Sequence, residues 1–289
     1  MKIFMHWDME GASGIFTREH LWYWEEGTRP EIAREGRELL TADVNSAAAA
    51  ALAAGVDELI VCDTHHGGGN FLLDELLPDP RITVLPRSVG YQGAEWRWMP
   101  GMDETVDGFM LMGHHAKAGT PNAFLPHTQS LAWADFCVNG QSIGEMGIEA
   151  CFVGHWGVPT ILAQGTETAC REAEALFPGI VTASVKDVES HDVCSGLDAE
   201  AARQLTALKV REAIELARDG RFKAYQPALP MTATLKLMTV EAADAAAQRP
   251  GVERLDEYTV AKRLERRCDV IRWIVGTGLE MVPKDRQSL

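Results

Sequence analysis

Ile3-Phe4-Met5-His6-Trp7-Asp8-Met9-Glu10-Gly11 starts as an apolar run and breaks into spaced carboxylates and a turn glycine. That order predicts a buried strand delivering Asp8 and Glu10 to its carboxyl end. Downstream, Thr28 and Glu31 have capping-box spacing, with Pro30 in the first turn where its missing N–H costs nothing. The helix they predict runs through Leu39 and the alanine-rich stretch to about Ala54, stopped by Gly55. Glu58–Asp63 reads as the next strand, so the chain opens as a right-handed β-α-β unit of a helix-covered parallel sheet. Further strands are predicted at Ile82–Leu85, at Gly108–Met112 running into Gly113-His114-His115, and at Pro159–Ala163. A hairpin turning at Asn139-Gly140 and a helix over Glu145–Val153 complete this part. Asp198 opens a long amphipathic helix closed by Gly220, and Thr232–Met238 alternates as a half-exposed antiparallel strand does. The expected fold is α/β: a three-layer α/β/α arrangement with a mostly parallel sheet over 1–194, and a smaller α+β portion over 195–289 packed on it.

The chain has 289 residues, enough for a core that needs no disulfide or metal staple. Its 46% hydrophobic and 24% charged residues exclude disorder, collagen and coiled coil. The formal charge of −15 repels phosphate backbones, and no run of Lys or Arg offsets it, so no nucleic-acid partner is expected. The longest apolar run, Ala47–Ala54, is too short to span a bilayer, and the opening residues do not form a signal peptide. A soluble, cytoplasmic protein without membrane partners is expected. The six cysteines show no C-x-x-C spacing, which excludes zinc ribbons and iron–sulfur runs and leaves reduced thiols packed as small hydrophobes. Gly67-Gly68-Gly69 lacks the Lys-Ser/Thr of a phosphate loop.

The residues able to do chemistry gather where strands end. Asp8 and Glu10, His65 and His66, and His114 and His115 each follow a predicted strand, with His127 and Glu145 downstream. In a parallel α/β sheet the carboxyl ends face one crevice, where ligands bind. Asp8 and Glu10 lie two apart, hence on one side of an extended segment, and neighbouring carboxylates are costly unless a cation neutralises them. Such a mixture of carboxylates and imidazoles suits zinc and suffices for two ions. Singly, each piece also fits a solvated loop or a hydrogen-bonded strand end; their convergence on one sheet edge favours metal.

The segments Trp7-Asp8-Met9-Glu10-Gly11, Asp63-Thr64-His65, Gly113-His114-His115-Ala116-Lys117-Ala118, Pro126-His127 and Gly144-Glu145-Met146-Gly147 resemble, in that order, the motifs of the DppA-type D-aminopeptidases. These are zinc metallopeptidases named for a dipeptide-transport operon. The resemblance covers roughly residues 1–190 and fades through the C-terminal third. It implies two zinc ions per subunit, with manganese or cobalt as alternatives, held by Asp8 as the bridge and by Glu10, His65, His115 and Glu145. It also implies His127 as the catalytic histidine and a closed homo-oligomer. His66 and His114 fall outside the ligand positions. The sequence departs from the family in a slightly longer loop between His115 and His127 and in the tryptophans Trp22, Trp24, Trp96 and Trp98.

A pair of zinc ions about 3.5–4 Å apart activates water and polarises a carbonyl. Binding the free amino terminus of a short peptide, such a pair would make an aminopeptidase, and the resemblance implies that its peptides carry D-residues. Nucleophile and general acid are both open to His127. Lys117 is either a solvated lysine or an oxyanion or substrate-carboxylate ligand. Two other classes compete. One is a dinuclear amidase or esterase whose tryptophans line a pocket for a bulkier amide or ester. The other, a dipeptide-binding transport protein, needs an export signal that the sequence does not show.

Overall fold

The computed structural model describes residues 1–87, 98–270 and 272–273. Its elements in chain order are β1 (Lys2–Trp7), α1 (Pro30–Ala53), β2 (Glu58–Asp63), β3 (Ile82–Leu85), β4 (Gly108–His114), β5 (Trp133–Val138), β6 (Gln141–Ser142), α2 (Glu145–Val153), β7 (Thr160–Thr166), α3 (Glu167–Leu176), β8 (Val181–Val188), β9 (Cys194–Gly196), α4 (Ala199–Arg218), β10 (Met231–Leu237), α5 (Val240–Ala247), β11 (Glu253–Arg254) and β12 (Thr259–Leu264).

One sheet runs β3-β2-β1-β4-β7-β8-β9. Every pairing in it is parallel except β8 with β9. β1, continuous and buried from Ile3 to Trp7, lies inside it between β2 and β4. Side chains alternate across a strand, so Ile3, Met5 and Trp7 join Val44, Ala47, Val210 and Ile214 from α1 and α4 on one face. Phe4 joins Phe109, Ile148, Phe152, Ala169 and Ala173 on the other, which α2 and α3 cover. This is the expected three-layer α/β/α arrangement.

The second sheet is antiparallel, in the order β11-β12-β10-β5-β6, with β10 between β12 and β5. β10 alternates buried and exposed positions as its sequence predicts. The two sheets draw on both sides of residue 194. β5 and β6 precede that point and pair with the later strands, whereas α4 follows it and covers the first sheet.

Local differences from the sequence reading have physical reasons. The Thr28/Glu31 capping box does not form. Arg29 is the N-cap residue with no side-chain cap bond, and the Thr28 hydroxyl faces the Trp22 carbonyl instead. Asp198 caps α4 as expected, accepting from Glu200 N and Ala201 N. The sequence reading assigns nothing over 167–188, where α3 and β8 form; α3 is capped by the Thr166 hydroxyl accepting from Ala169 N. The Gly67-Gly68-Gly69 amides point inward, to Thr64, His65 and Pro86 carbonyls, so they present no anion cradle. Trp96 lies outside the described residues. No helix among the described residues is long and apolar enough to cross a membrane.

Candidate metal centre

The carboxyl ends of β1, β2 and β4 are drawn together by backbone. Asp8 N donates to Met112 O at 2.8 Å, Gly11 N to Gly113 O at 2.6 Å and Thr64 N to Trp7 O at 2.9 Å. Gln164 of β7, fully buried, accepts from Gly113 N and donates to Gly11 O. Gly113 has φ +71°, and a β-carbon there would lie 2.1 Å from Asp8 O. Only glycine lets these strand ends approach so closely.

Asp8, Glu10 and His65 converge on that edge, all buried. His65 Nδ1 lies 2.9 Å from Asp8 Oδ1 and 3.1 Å from Glu10 Oε2. Its other nitrogen, Nε2, is 3.0 Å from the Leu21 carbonyl, which can only accept, so Nε2 carries the proton. In the neutral ring Nδ1 therefore turns a lone pair toward two carboxylates. A cation among the three resolves that repulsion, and the tie to a carbonyl is the usual support for a ligating imidazole. Glu10 also accepts from Trp22 Nε1 at 2.9 Å, and its carbonyl accepts from the buried Lys186 ammonium at 2.7 Å.

His115, His127 and Glu145 form an adjoining group. His115 repeats the pattern: Nδ1 is 2.9 Å from the Ala116 carbonyl, while Nε2 has no hydrogen-bond partner among the described residues. Nε2 lies 3.3 Å from Asp8 Oδ2 and 3.5 Å from Glu145 Oε1. Asp8 thus turns one oxygen to His65 and the other to His115, the arrangement of a carboxylate shared between neighbouring sites. Glu145, the first residue of α2, is aimed by Gln129 N, which donates to it at 2.7 Å.

His127 stacks on His115 with ring centroids 4.0 Å apart and 8° between planes. Its Nδ1 is 2.9 Å from Leu125 O, and Nε2 faces Glu145 Oε1 at 3.5 Å. Leu125 N in turn donates to His191 O, which fastens the irregular loop over the sheet edge.

Electrostatics follow from burial and pairing. Burial lifts the Asp8 carboxyl, but His115 and His65 outweigh it and hold it well below the usual carboxylate range. Burial lowers the His65 and His115 imidazoles, yet the carboxylates around them raise both well above the ordinary histidine value. Asp63 is pushed up to about 6 by burial while it accepts from Asn70 and Phe71 amides, shaping the loop that carries His65. Burial lowers Lys186 to about 8.

The remaining candidates from sequence separate by position. His66 stacks on Trp24, with centroids 4.0 Å apart, at the rim of the centre. Lys117 directs its ammonium to Ser142 and its backbone N–H to Glu172, facing β6. Trp22 and Trp24 border the centre: Trp22 sits edge-on to His127 and Trp24 tilts over His65. Trp98 packs instead on His6 and Phe152 in the core. Sequence reasoning missed Trp22 and Lys186 as supports of Glu10. It also missed His6 and Glu149, which join His114 in a third buried group behind the first two. Glu149 was findable, since it lies one helical turn after Glu145.

The chain is 29% identical over 257 residues to a D-aminopeptidase of Bacillus subtilis (strain 168), a match spanning 88% of this chain and 87% of that protein. Its fold superposes on the Zn-dependent D-aminopeptidase DppA from Bacillus subtilis, a self-compartmentalizing protease, with a TM-score of 0.86, 25% identity and full coverage of both chains. A peptidase family model described as D-aminopeptidase matches residues 1–275. A match over that length shows the family: the chain belongs to the D-aminopeptidases.

Proposed function

We propose that this aminopeptidase holds two zinc ions per subunit and removes the amino-terminal D-residue from short peptides. Asp8 would be shared by the two ions, with Glu10 and His65 holding one and His115 and Glu145 the other. One observation carries the ligand set: two imidazoles, each with one nitrogen bonded to a backbone carbonyl, aim the other nitrogen at opposite oxygens of Asp8. Imidazole and carboxylate donors suit zinc; manganese and cobalt take the same types of ligand. When bound, the pair supplies a water of near-neutral pKa and polarises the scissile carbonyl.

The chain's own residues do the rest. His127, with Nδ1 committed to Leu125 O, presents a lone pair at Nε2 when neutral. That tautomer suits attack on the carbonyl or acceptance of a proton, which the same nitrogen then returns to the leaving amine. Trp24, partly exposed beside His65, offers a flat apolar wall to a bulky amino-terminal side chain. The same wall fits a dinuclear amidase or esterase acting on a bulkier, non-peptide substrate.

The chain works as a homo-oligomer, a reading supported by full-length likeness to a self-compartmentalizing protease. Its free cysteines suit a reducing, cytoplasmic compartment.

Metal analysis of Asp8→Ala tests the centre. The variant is expected to lose most of the metal of the pair together with hydrolysis of D-residue dipeptides, because Asp8 turns one carboxylate oxygen to each group. Retention of the wild-type metal content overturns the assignment. Light scattering of the wild type tests assembly, and a monomer overturns it. Hydrolysis of bulky amides in preference to D-residue dipeptides moves the reading to the amidase.

A further inference from the structure

Behind the centre lies a cluster that the aminopeptidase reaction does not use. His6, on the face of β1 shared with Phe4, meets His114 at the end of β4 and Glu149 on α2. All three are buried, at 1%, 1% and 2% exposure. The set is displaced from Asp8, His115 and Glu145 by two residues on a strand, one residue on a strand and one helical turn. It therefore forms a second tier beneath the first.

The contacts in this tier are close but are not hydrogen bonds. His6 Nδ1 is 3.2 Å and His114 Nε2 is 3.3 Å from Glu149 Oε2. Yet that oxygen and all four ring nitrogens lack a hydrogen-bond partner among the described residues. So many orphaned polar atoms in one buried spot are rare in folded proteins. One oxygen and one nitrogen from each ring lie within 4.8 Å of one another. Bonds of about 2.0–2.1 Å at tetrahedral angles place donor atoms roughly 3.3 Å apart, the spacing of both nitrogen–oxygen pairs here. Donors that close yet misaligned for hydrogen bonding are arranged around a shared point. Phe109 and Trp98 flank His6, with centroids 5.7 and 6.4 Å away, and close the site off from water.

We propose that His6, His114 and Glu149 bind a third divalent transition-metal ion of the zinc class, separate from the pair held around Asp8. Two imidazoles and one carboxylate favour such an ion over magnesium or calcium, which take oxygen ligands. The ion pins the end of β4 to β1 and α2, fixing the backbone from which His115 projects. Its walls make it slower to exchange than the pair at the sheet edge.

Wild-type protein loaded with zinc and crystallised provides the direct test. An anomalous-scattering peak at the zinc edge is expected among His6, His114 and Glu149, apart from any peak at Asp8. Elemental analysis of soluble variants gives a second, independent reading. Asp8→Ala is expected to keep about one equivalent of zinc per chain, and adding Glu149→Gln or His6→Gln to remove it. A brief chelator wash of the wild type is expected to leave the same equivalent behind. The absence of a peak at the deep site in zinc-loaded wild type overturns the proposal and leaves Glu149 as the counter-ion of a protonated imidazole. So does equal zinc in Asp8→Ala and its doubly substituted forms. Loss of the Asp8 peak with the deep peak retained counts against the two-ion centre alone, so the two readings fail separately.

Discussion

At the scale of single residues, histidines in similar surroundings divide their work by where each spends its N–H. His65, His115 and His127 each commit one ring nitrogen to a backbone carbonyl and keep the other for the centre. His66 leans against Trp24 instead. Of the three, His127 is the most exposed, with 17% of its side chain accessible against 3% and 1% for His65 and His115. That position at the mouth suits a group that meets substrate. His127→Ala is expected to bind metal normally, keep its melting temperature within a degree or two and lose on the order of 10²–10⁴ in kcat. Turnover by the fully metallated variant close to wild type would sink the catalytic role.

Elements place these residues more exactly than their own contacts do. The ends of β1, β4 and β7 are packed backbone against backbone, with Gly11, Gly113 and Gly165 at the contact. Gln164 stitches the first two strands together from the third. A methyl group at position 113 meets the Asp8 carbonyl and must also adopt a left-handed backbone. Gly113→Ala is therefore expected to cost about 3 kcal/mol or more of stability. Because the displaced atom belongs to Asp8, metal content should fall with it. A variant with wild-type melting temperature and metal content would show that the strand ends can part without consequence.

At the scale of the whole molecule, Asp43 joins parts distant in sequence. Buried on α1, it accepts from Ser13 N in the loop after β1 and pairs with Arg203 of α4. Burial raises its carboxyl above the ordinary value, against the pull of Ser13 and Arg203. A carboxyl with a raised folded-state pKa stabilises fully below its unfolded value, and that contribution is lost as pH rises through the folded value. Asp43→Asn, which can still accept from Ser13 N, removes this dependence. Its melting temperature is expected to exceed that of the wild type at pH 8, with the gap narrowing toward pH 4. A variant less stable than wild type at pH 8 would mean that the Arg203 pairing outweighs burial.

The sequence by itself determined the β-α-β opening, the strand ends at Asp8, His65 and His115, and the helix beginning at Glu145. These follow from local patterns: apolar runs, turn glycines, and a periodicity that each segment carries alone. Family membership was legible for the same reason, since its motifs are short and contiguous. Other features were decided only when distant segments met. The Thr28 hydroxyl turned to the Trp22 carbonyl and left the helix start to Arg29. β5 left the first part of the chain to pair with β10, which lies about a hundred residues later in sequence. Lys186 found the Glu10 carbonyl across 176 residues, and His6 found Glu149 through a helix packed on its strand. In one dimension His6 is a lone polar residue in an apolar strand, and Glu149 one more acid on a helix. Packing two strands and a helix against one another gives them a common centre, because only burial removes the water that would otherwise have solvated each alone.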